Sequence, residues 1–190
     1  TALLGFLELE KSPSYASITP FYIIHIYYLQ EKYDELIEYA PKILEKESGG
    51  RAAEINKLLG SAYYRKGRYS EAIPHLNNYV NSTSSANDYD YYELGFAYYN
   101  TKQYDKAANS FSKIANMKDT LSQNAAYHMG DCNIKLDKKI EALRSFELAS
   151  KYNYNPKIKE DALFNFAQLS FELSMSPFNE AINAFTLYIK

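Results

Sequence analysis

A string of six residues recurs along this chain at a fixed interval. Leu59-Gly60-Ser61-Ala62-Tyr63-Tyr64 returns 35 positions later as Leu94-Gly95-Phe96-Ala97-Tyr98-Tyr99. After another 35 it returns in weaker form as Met129-Gly130-Asp131-Cys132-Asn133-Ile134. Each copy is followed at a fixed offset by a small residue and then a large apolar one: Ala72 and Leu76, Ala107 and Phe111, Ala142 and Phe146. A period in this range means one helical hairpin stacked repeatedly, since a single hairpin cannot bury its apolar face alone. The chain is therefore expected to be all-α, a solenoid of antiparallel helix hairpins. Arrays of this kind hold other molecules, so the pattern points to binding more than to chemistry.

The repeat has a physical rationale in its small residues. Gly60, Gly95 and Gly130 fall in the middle of a helix, where glycine costs about 1 kcal/mol relative to alanine. That cost is tolerable where a second helix must approach closely. Ala72, Ala107 and Ala142 are the matching small positions on that second helix, and Tyr63, Tyr98, Tyr69 and Tyr104 are expected to fill the space between hairpins. Such an arrangement is ridge-into-groove packing with small residues at the crossing.

Between the two markers each copy carries a turn and an aromatic, Lys66-Gly67-Arg68-Tyr69 and Thr101-Lys102-Gln103-Tyr104. At these residues the chain resembles the tetratricopeptide repeat family. The copy with Tyr91, Leu94, Gly95, Tyr98, Tyr104, Ala107 and Phe111 follows the family pattern. The next keeps Gly130, Ala142 and Phe146 but has Asn133 and Lys139 for the two tyrosines. The resemblance covers almost the whole chain. It implies a right-handed superhelical solenoid, protein-protein interaction as the function, and first helices lining an inner, concave face.

Two further copies flank the clear ones. Upstream, Ile24, Tyr27, Tyr33, Leu36 and Ala40 take the places of Gly60, Tyr63, Tyr69, Ala72 and Leu76. With Ile and Leu at the small positions, that hairpin is expected to pack more loosely. Downstream, Ala167 takes the glycine place, followed by Phe178, Ala181 and Phe185; Ser176 reads as an N-cap and Pro177 as the first helical residue. The expected repeats are 17–47, 52–82, 87–117, 120–152 and 157–190, after a lone second helix at 1–11. Both ends lack a polar capping unit, so the chain reads as a fragment of a longer solenoid, with self-association through uncapped ends as an alternative. Glu47-Ser48-Gly49-Gly50 is expected to end a hairpin with a left-handed cap.

Composition narrows the functions. The formal net charge is −2, with basic and acidic residues interspersed, which argues against a nucleic-acid surface and its clustered cations. No apolar run approaches the ~18 residues that cross a bilayer; the richest, Phe21 to Leu29, spans nine. Cys132 is the only cysteine. It occupies the place of Ala62 and Ala97, so it reads as a packed small residue. Abundant Tyr, Asn, Lys and Ile fit an AT-rich bacterial gene. Long arrays of this type resemble segments of bacterial outer-membrane assembly, division and glycan-uptake proteins, so a periplasmic or outer-membrane-associated place is favoured over the cytoplasm.

The expected binding face follows from helical spacing. Residues four before and after each first-helix packing position give Phe21 and Tyr28, Lys57 and Tyr64, Tyr92 and Tyr99, Tyr127 and Ile134, Phe164 and Phe171. His25, Ser61, Phe96, Asp131 and Gln168 lie between them. The candidate peptide-binding residues are Phe21, Tyr28, Lys57, Tyr64, Tyr92, Phe96, Tyr99, Tyr127 and Asp131. Regularly spaced rings offer rigid, amphipathic contact area to an extended peptide or to a sugar chain, and the same rings also serve packing between repeats. Chaperone-binding members of the family grip a terminal carboxylate with Lys and Asn, then Asn, then Lys and Arg. Here Lys57 is present, but Ser61, Glu93, Asn124 and His128 stand where the others belong, so EEVD-type tails are disfavoured.

Residues for catalysis or metal binding do not assemble into a motif. His25, His75 and His128 lie in different repeats, and His128-Met129-Gly130-Asp131-Cys132 has no second ligand cluster. No phosphate-cradling glycine loop or nucleophile elbow occurs. Asp88 and Asp90 are explained by the helix dipole at an N-terminus. The expectation is a non-catalytic scaffold without cofactor or metal that binds an extended peptide. The alternatives are an envelope-associated or glycan-binding scaffold and a homotypic assembly module.

Overall fold

The computed structural model describes residues 2–174 and 179–189, and among them all regular structure is helical. Two compact units divide the chain, residues 1–86 and 87–190. The first holds α1 (Ala2–Leu9) and two hairpins, α2 (Thr19–Leu29) with α3 (Tyr33–Leu44) and α4 (Gly49–Arg65) with α5 (Tyr69–Ser82). The second holds three: α6 (Asp88–Asn100) with α7 (Tyr104–Ser112), α8 (Thr120–Lys135) with α9 (Lys139–Lys151), and α10 (Pro156–Leu173) with α11 (Asn179–Ile189). Ser176, Pro177 and Phe178 lie outside the described residues, as does the side chain of Ala181.

Glycine sets the closeness of each central hairpin. A methyl group built on Gly60 would meet the Leu76 side chain at 2.8 Å and the Leu76 backbone nitrogen at 2.9 Å. On Gly95 and Gly130 it would meet the rings of Phe111 at 2.9 Å and Phe146 at 2.7 Å. The notch is thus filled by the large apolar residue of the second helix, while Ala72, Ala107 and Ala142 are buried beside it.

The first hairpin solves the same problem with the sizes exchanged. Ile24 stands in the glycine place, and opposite it Ala40 replaces Leu76. Ile24, Leu36 and Ala40 are all completely buried, in one cluster with Ile55, Leu58, Leu59 and Ala62. α2 and α3 nevertheless touch each other less extensively than the helices of the central hairpins do, in line with the looser packing expected from Ile and Leu at the small positions. In the second unit Ala126, Ala142, Phe146, Ala149, Ala162 and Leu169 form the corresponding core around α8, α9 and α10.

The turn inside each of the first four hairpins is a Schellman motif. Lys32, Arg68, Gln103 and Lys138 donate their backbone N–H to the carbonyls of Tyr27, Tyr63, Tyr98 and Asn133. The residue just before each of them is left-handed: Glu31 (φ +56°), Gly67 (φ +71°), Lys102 (φ +60°) and Asp137 (φ +56°). Only one of the four is glycine. Gly49 is left-handed too (φ +61°), but it opens α4 after an extended Ser48. The preceding helix has already ended at Leu44, so this glycine pair starts a helix instead of stopping one.

First helices of the second unit are capped by side chains. Asn87 accepts from the N–H groups of Tyr89 and Asp90, and Asp90 accepts from Asn87 N in return. Asp119 and Ser122 repeat that reciprocal pair. Asn155 accepts from Lys157 and Ile158, with Pro156 in the first turn. The Asp88/Asp90 pair thus does more than meet a dipole, since Asp90 is a buried capping partner.

Two substitutions separate these effects. Gly60→Ala is expected to destabilise by about 1–2 kcal/mol, since overpacking against Leu76 N outweighs the helix-propensity gain. Gly5→Ala, with nothing within 4 Å, is expected to stabilise instead. Lys102→Gly removes a left-handed side chain and is expected to raise stability by about 0.5–1 kcal/mol. Urea unfolding midpoints measure all three.

Candidate functional site

The candidate rings are braced from behind. At each of the first three hairpin turns, the last ring of the first helix meets the first tyrosine of the second edge-on. The pairs are Tyr28–Tyr33 at 5.9 Å, Tyr64–Tyr69 at 5.8 Å and Tyr99–Tyr104 at 5.7 Å, with interplanar angles of 66°, 66° and 68°. Tyr69 and Tyr104 therefore contact a ring of their own hairpin. Tyr63 does likewise, stacked at 5.7 Å on His75 of α5. These contacts within a hairpin come in addition to packing between hairpins: Tyr63 also lies against the core cluster that contains Ile24, Leu36 and Ala40 of the preceding hairpin.

In the first unit Phe21 lies half-buried against His25 at 4.6 Å. Ser61 is buried, and the Lys57 ammonium sits 5.0 Å from the centre of the Tyr79 ring. That contact directs Lys57 toward α5, where a cation–π attraction holds it.

The second unit carries the denser cluster. Tyr92 stacks on Phe96 at 6.0 Å, and Phe96 lies 6.1 Å from Tyr99, all on α6. From α8 the His128 ring meets Phe96 at 5.4 Å, Tyr99 at 5.6 Å, Phe111 at 5.7 Å and Tyr92 at 6.5 Å. The Tyr99 hydroxyl donates to the Asp131 carboxylate, whose other oxygen lies 3.8 Å from Lys135 Nζ. Tyr127 packs edge-on against Phe146 at 5.6 Å. Tyr92, Phe96, Tyr99, Tyr127 and Asp131 all remain partly exposed. Ile134, Phe164 and Phe171 are exposed.

Titration follows this packing. Burial raises the Tyr99 phenol, and the hydrogen bond and charge of Asp131 raise it further. Burial alone raises Tyr92, and burial with the charges of Asp161 and Asp131 raises Tyr127. Cys132, completely buried, has its thiol pushed up to about 12, chiefly by burial and then by Asp131. It is a packing residue with an unreactive thiol. No group of three or more metal-ligating side chains occurs among the described residues, and no described helix is long and apolar enough to cross a membrane.

The repeat pattern does not single out His128, although it sits at the centre of this ring cluster. Its register is occupied by Leu58 and Glu93 in the two preceding copies, both buried. A histidine at an inward register was the available signal. Gln123 is the second such residue. Completely buried, it donates to the carbonyls of Ala149, Tyr152 and Asn155 at 3.1–3.3 Å and accepts from Asn155 N at 2.7 Å. One amide thereby holds the whole α9–α10 connection.

Burial lowers the pKa of His25, His75 and His128 from 6.5, against weaker raising charges from Glu54 at His25 and Asp131 at His128. The unfolded chain then binds more protons than the folded one just below pH 6.5. Stability is full above that value and falls as pH drops through the lowered folded values. Thermal melts are expected to lose several degrees between about pH 7.5 and about pH 5.5, less so in His128→Gln. Gln123→Leu, which takes the side-chain partner from the Tyr152 carbonyl and the Asn155 N–H, is expected to cost about 2–4 kcal/mol in urea unfolding.

Comparison with known proteins agrees with this fold. Residues 65–149 match the family model of the anaphase-promoting complex, cyclosome, subunit 3. Among solved structures the chain is similar to YrrB, described as a TPR protein with an unusual peptide-binding site. That match has 17% identity, covers 97% of this chain and 90% of that one, and has a TM-score of 0.72. It is also similar to MamA, at 19% identity, 88% and 92% coverage and a TM-score of 0.66. No curated protein sequence matches significantly.

Proposed function

Since this chain is built of tetratricopeptide-type repeats in the fold that bears their name, we propose that it is a non-catalytic interaction scaffold. Its first helices hold an extended peptide segment of a protein partner. One observation carries the reading: the partly exposed rings of Tyr92, Phe96, Tyr99 and Tyr127 are locked in place by His128, Phe111, Tyr104 and Phe146. Side chains already ordered in the free protein lose little entropy on binding, so their contact area converts efficiently into affinity. Asp131 adds a polar group with a fixed orientation, because Tyr99 holds one of its oxygens.

Support also comes from the similarity to YrrB, whose description names a peptide-binding site. In the first unit Phe21, Tyr28 and Tyr64 are the corresponding contacts, with Lys57 turned toward Tyr79 and contributing mainly its stem.

The test is to select peptides on the protein from a random display library and measure their affinity for single-ring variants. Tyr99→Ala and Phe96→Ala are each expected to weaken binding by about 2 kcal/mol or more. Normal binding in Tyr92→Ala and Tyr99→Ala, together with lowered melting temperatures, would assign these rings to packing alone and end the proposal.

A further inference from the structure

We infer that the repeat-joining loops of the second unit form a separate docking site for a short peptide that carries an acidic residue next to an apolar one. The site shares no residue with the aromatic face. Its first half is a cavity of about 580 Å³ between the α7–α8 and α9–α10 connections, with Asn116 and Lys118 on one side and Lys151, Tyr152 and Tyr154 on the other. Leu148 supplies an apolar floor.

Three features make this a built site and not a crease between loops. The Tyr152 hydroxyl donates to the Ala115 carbonyl at 3.0 Å, tying one connection to the other. Gln123 holds the backbone of Tyr152 and Asn155 from beneath. The loop so fixed nevertheless leaves Tyr154 49% exposed, with its ring 6.0 Å from that of Tyr152. A surface loop with this much internal anchoring presents its rings in a defined place.

The second half adjoins the first at Asn153. It is a cavity of about 300 Å³ lined by Pro156, Leu163, Leu187 and Tyr188, with Lys159 and Glu160 at its side. Lys159 Nζ donates to Asn153 Oδ1 at 2.6 Å.

Charge decides the occupant. In a chain of net charge −2, the two cavities place Lys118, Lys151 and Lys159 against Glu160. Lys151 pairs with Glu147, but both side chains are well exposed, and an exposed pair of this kind exchanges partners at little cost. A ligand carboxylate fits between Lys118 and Lys151, over the two tyrosines. The apolar side chain that follows fits against Leu163, Leu187 and Tyr188. An acidic sugar would satisfy the lysines and the rings but leave the leucine-lined half unfilled, so the geometry favours a peptide.

The experiment is selection of random octapeptides on the whole chain. Selected peptides are then measured by fluorescence anisotropy against wild type, the double variant Lys118→Gln/Lys151→Gln, Tyr154→Ser and Tyr99→Ala. These lysines and Tyr154 are exposed, so melting temperatures serve as the control for folding. The expected result is a class of peptides with Asp or Glu close before Leu, Ile, Phe or Met. Its affinity should fall about tenfold or more in the double variant and in Tyr154→Ser, stay unchanged in Tyr99→Ala, and weaken with added salt. The inference is overturned if no such class is selected, or if it binds the lysine variant as well as wild type. Loss of its binding in Tyr99→Ala would transfer it to the aromatic face and overturn the second site. Lysine-dependent binding of oligogalacturonate in place of any peptide would overturn the assignment of the occupant.

Discussion

The contact on which the molecule depends is the seating of one large apolar side chain in a notch on the facing helix. In the second and third copies of the hairpin the notch is Gly60 or Gly95, and the knob is Leu76 or Phe111. The distances leave no room for a methyl group, and at Gly60 the facing backbone itself, the Leu76 nitrogen, lies 2.9 Å from where that methyl would stand. The edge-on pairs Tyr28–Tyr33 (5.9 Å), Tyr64–Tyr69 (5.8 Å) and Tyr99–Tyr104 (5.7 Å) are nearly equal in separation with or without a glycine notch, because the same Schellman turn joins the helices in each. With Ile24 in the glycine place and Ala40 opposite, α2 and α3 meet less extensively than the notched hairpins do.

That geometry also explains why the rings of the aromatic face are so closely braced. A ring on a first helix would ordinarily retain rotamer freedom at a surface. Here Tyr99 is held at three points, by Tyr104, His128 and the Asp131 carboxylate. The same contacts raise its phenol and lower the imidazole, since each group is deprived of water by its neighbours. Close bracing and shifted titration are thus two consequences of one desolvated cluster. The rings themselves remain partly exposed.

Polar residues do comparable work where the repeats join. An array has many loops, and every loop carries backbone groups that must find partners when buried. Gln123 meets that demand for the α9–α10 connection with a single side chain, while Asn87, Asp119 and Asn155 satisfy the helix starts of the second unit. A connection held from inside has its surface residues in fixed positions, and it is there that the cavity beside Tyr152 and Tyr154 lies.

Read alone, the amino-acid sequence determined the all-helical hairpin array and the glycine registers, because a 35-residue period and mid-helix glycines have no other economical explanation. Candidate rings were legible by spacing, since positions four apart share a helix face. What spacing could not supply was direction and company. The turn tyrosines bend back on their own hairpins, Lys57 leans over Tyr79, and His128 gathers rings from two helices, all outcomes of side-chain packing across elements. Three of the four left-handed turn residues were hidden for a related reason: hydrogen bonds of the Schellman motif impose that conformation on Glu31, Lys102 and Asp137, although nothing in their chemistry asks for it. Tertiary structure alone decided these features, because each arises from a balance between neighbours distant in the chain, and periodicity records positions without recording that balance.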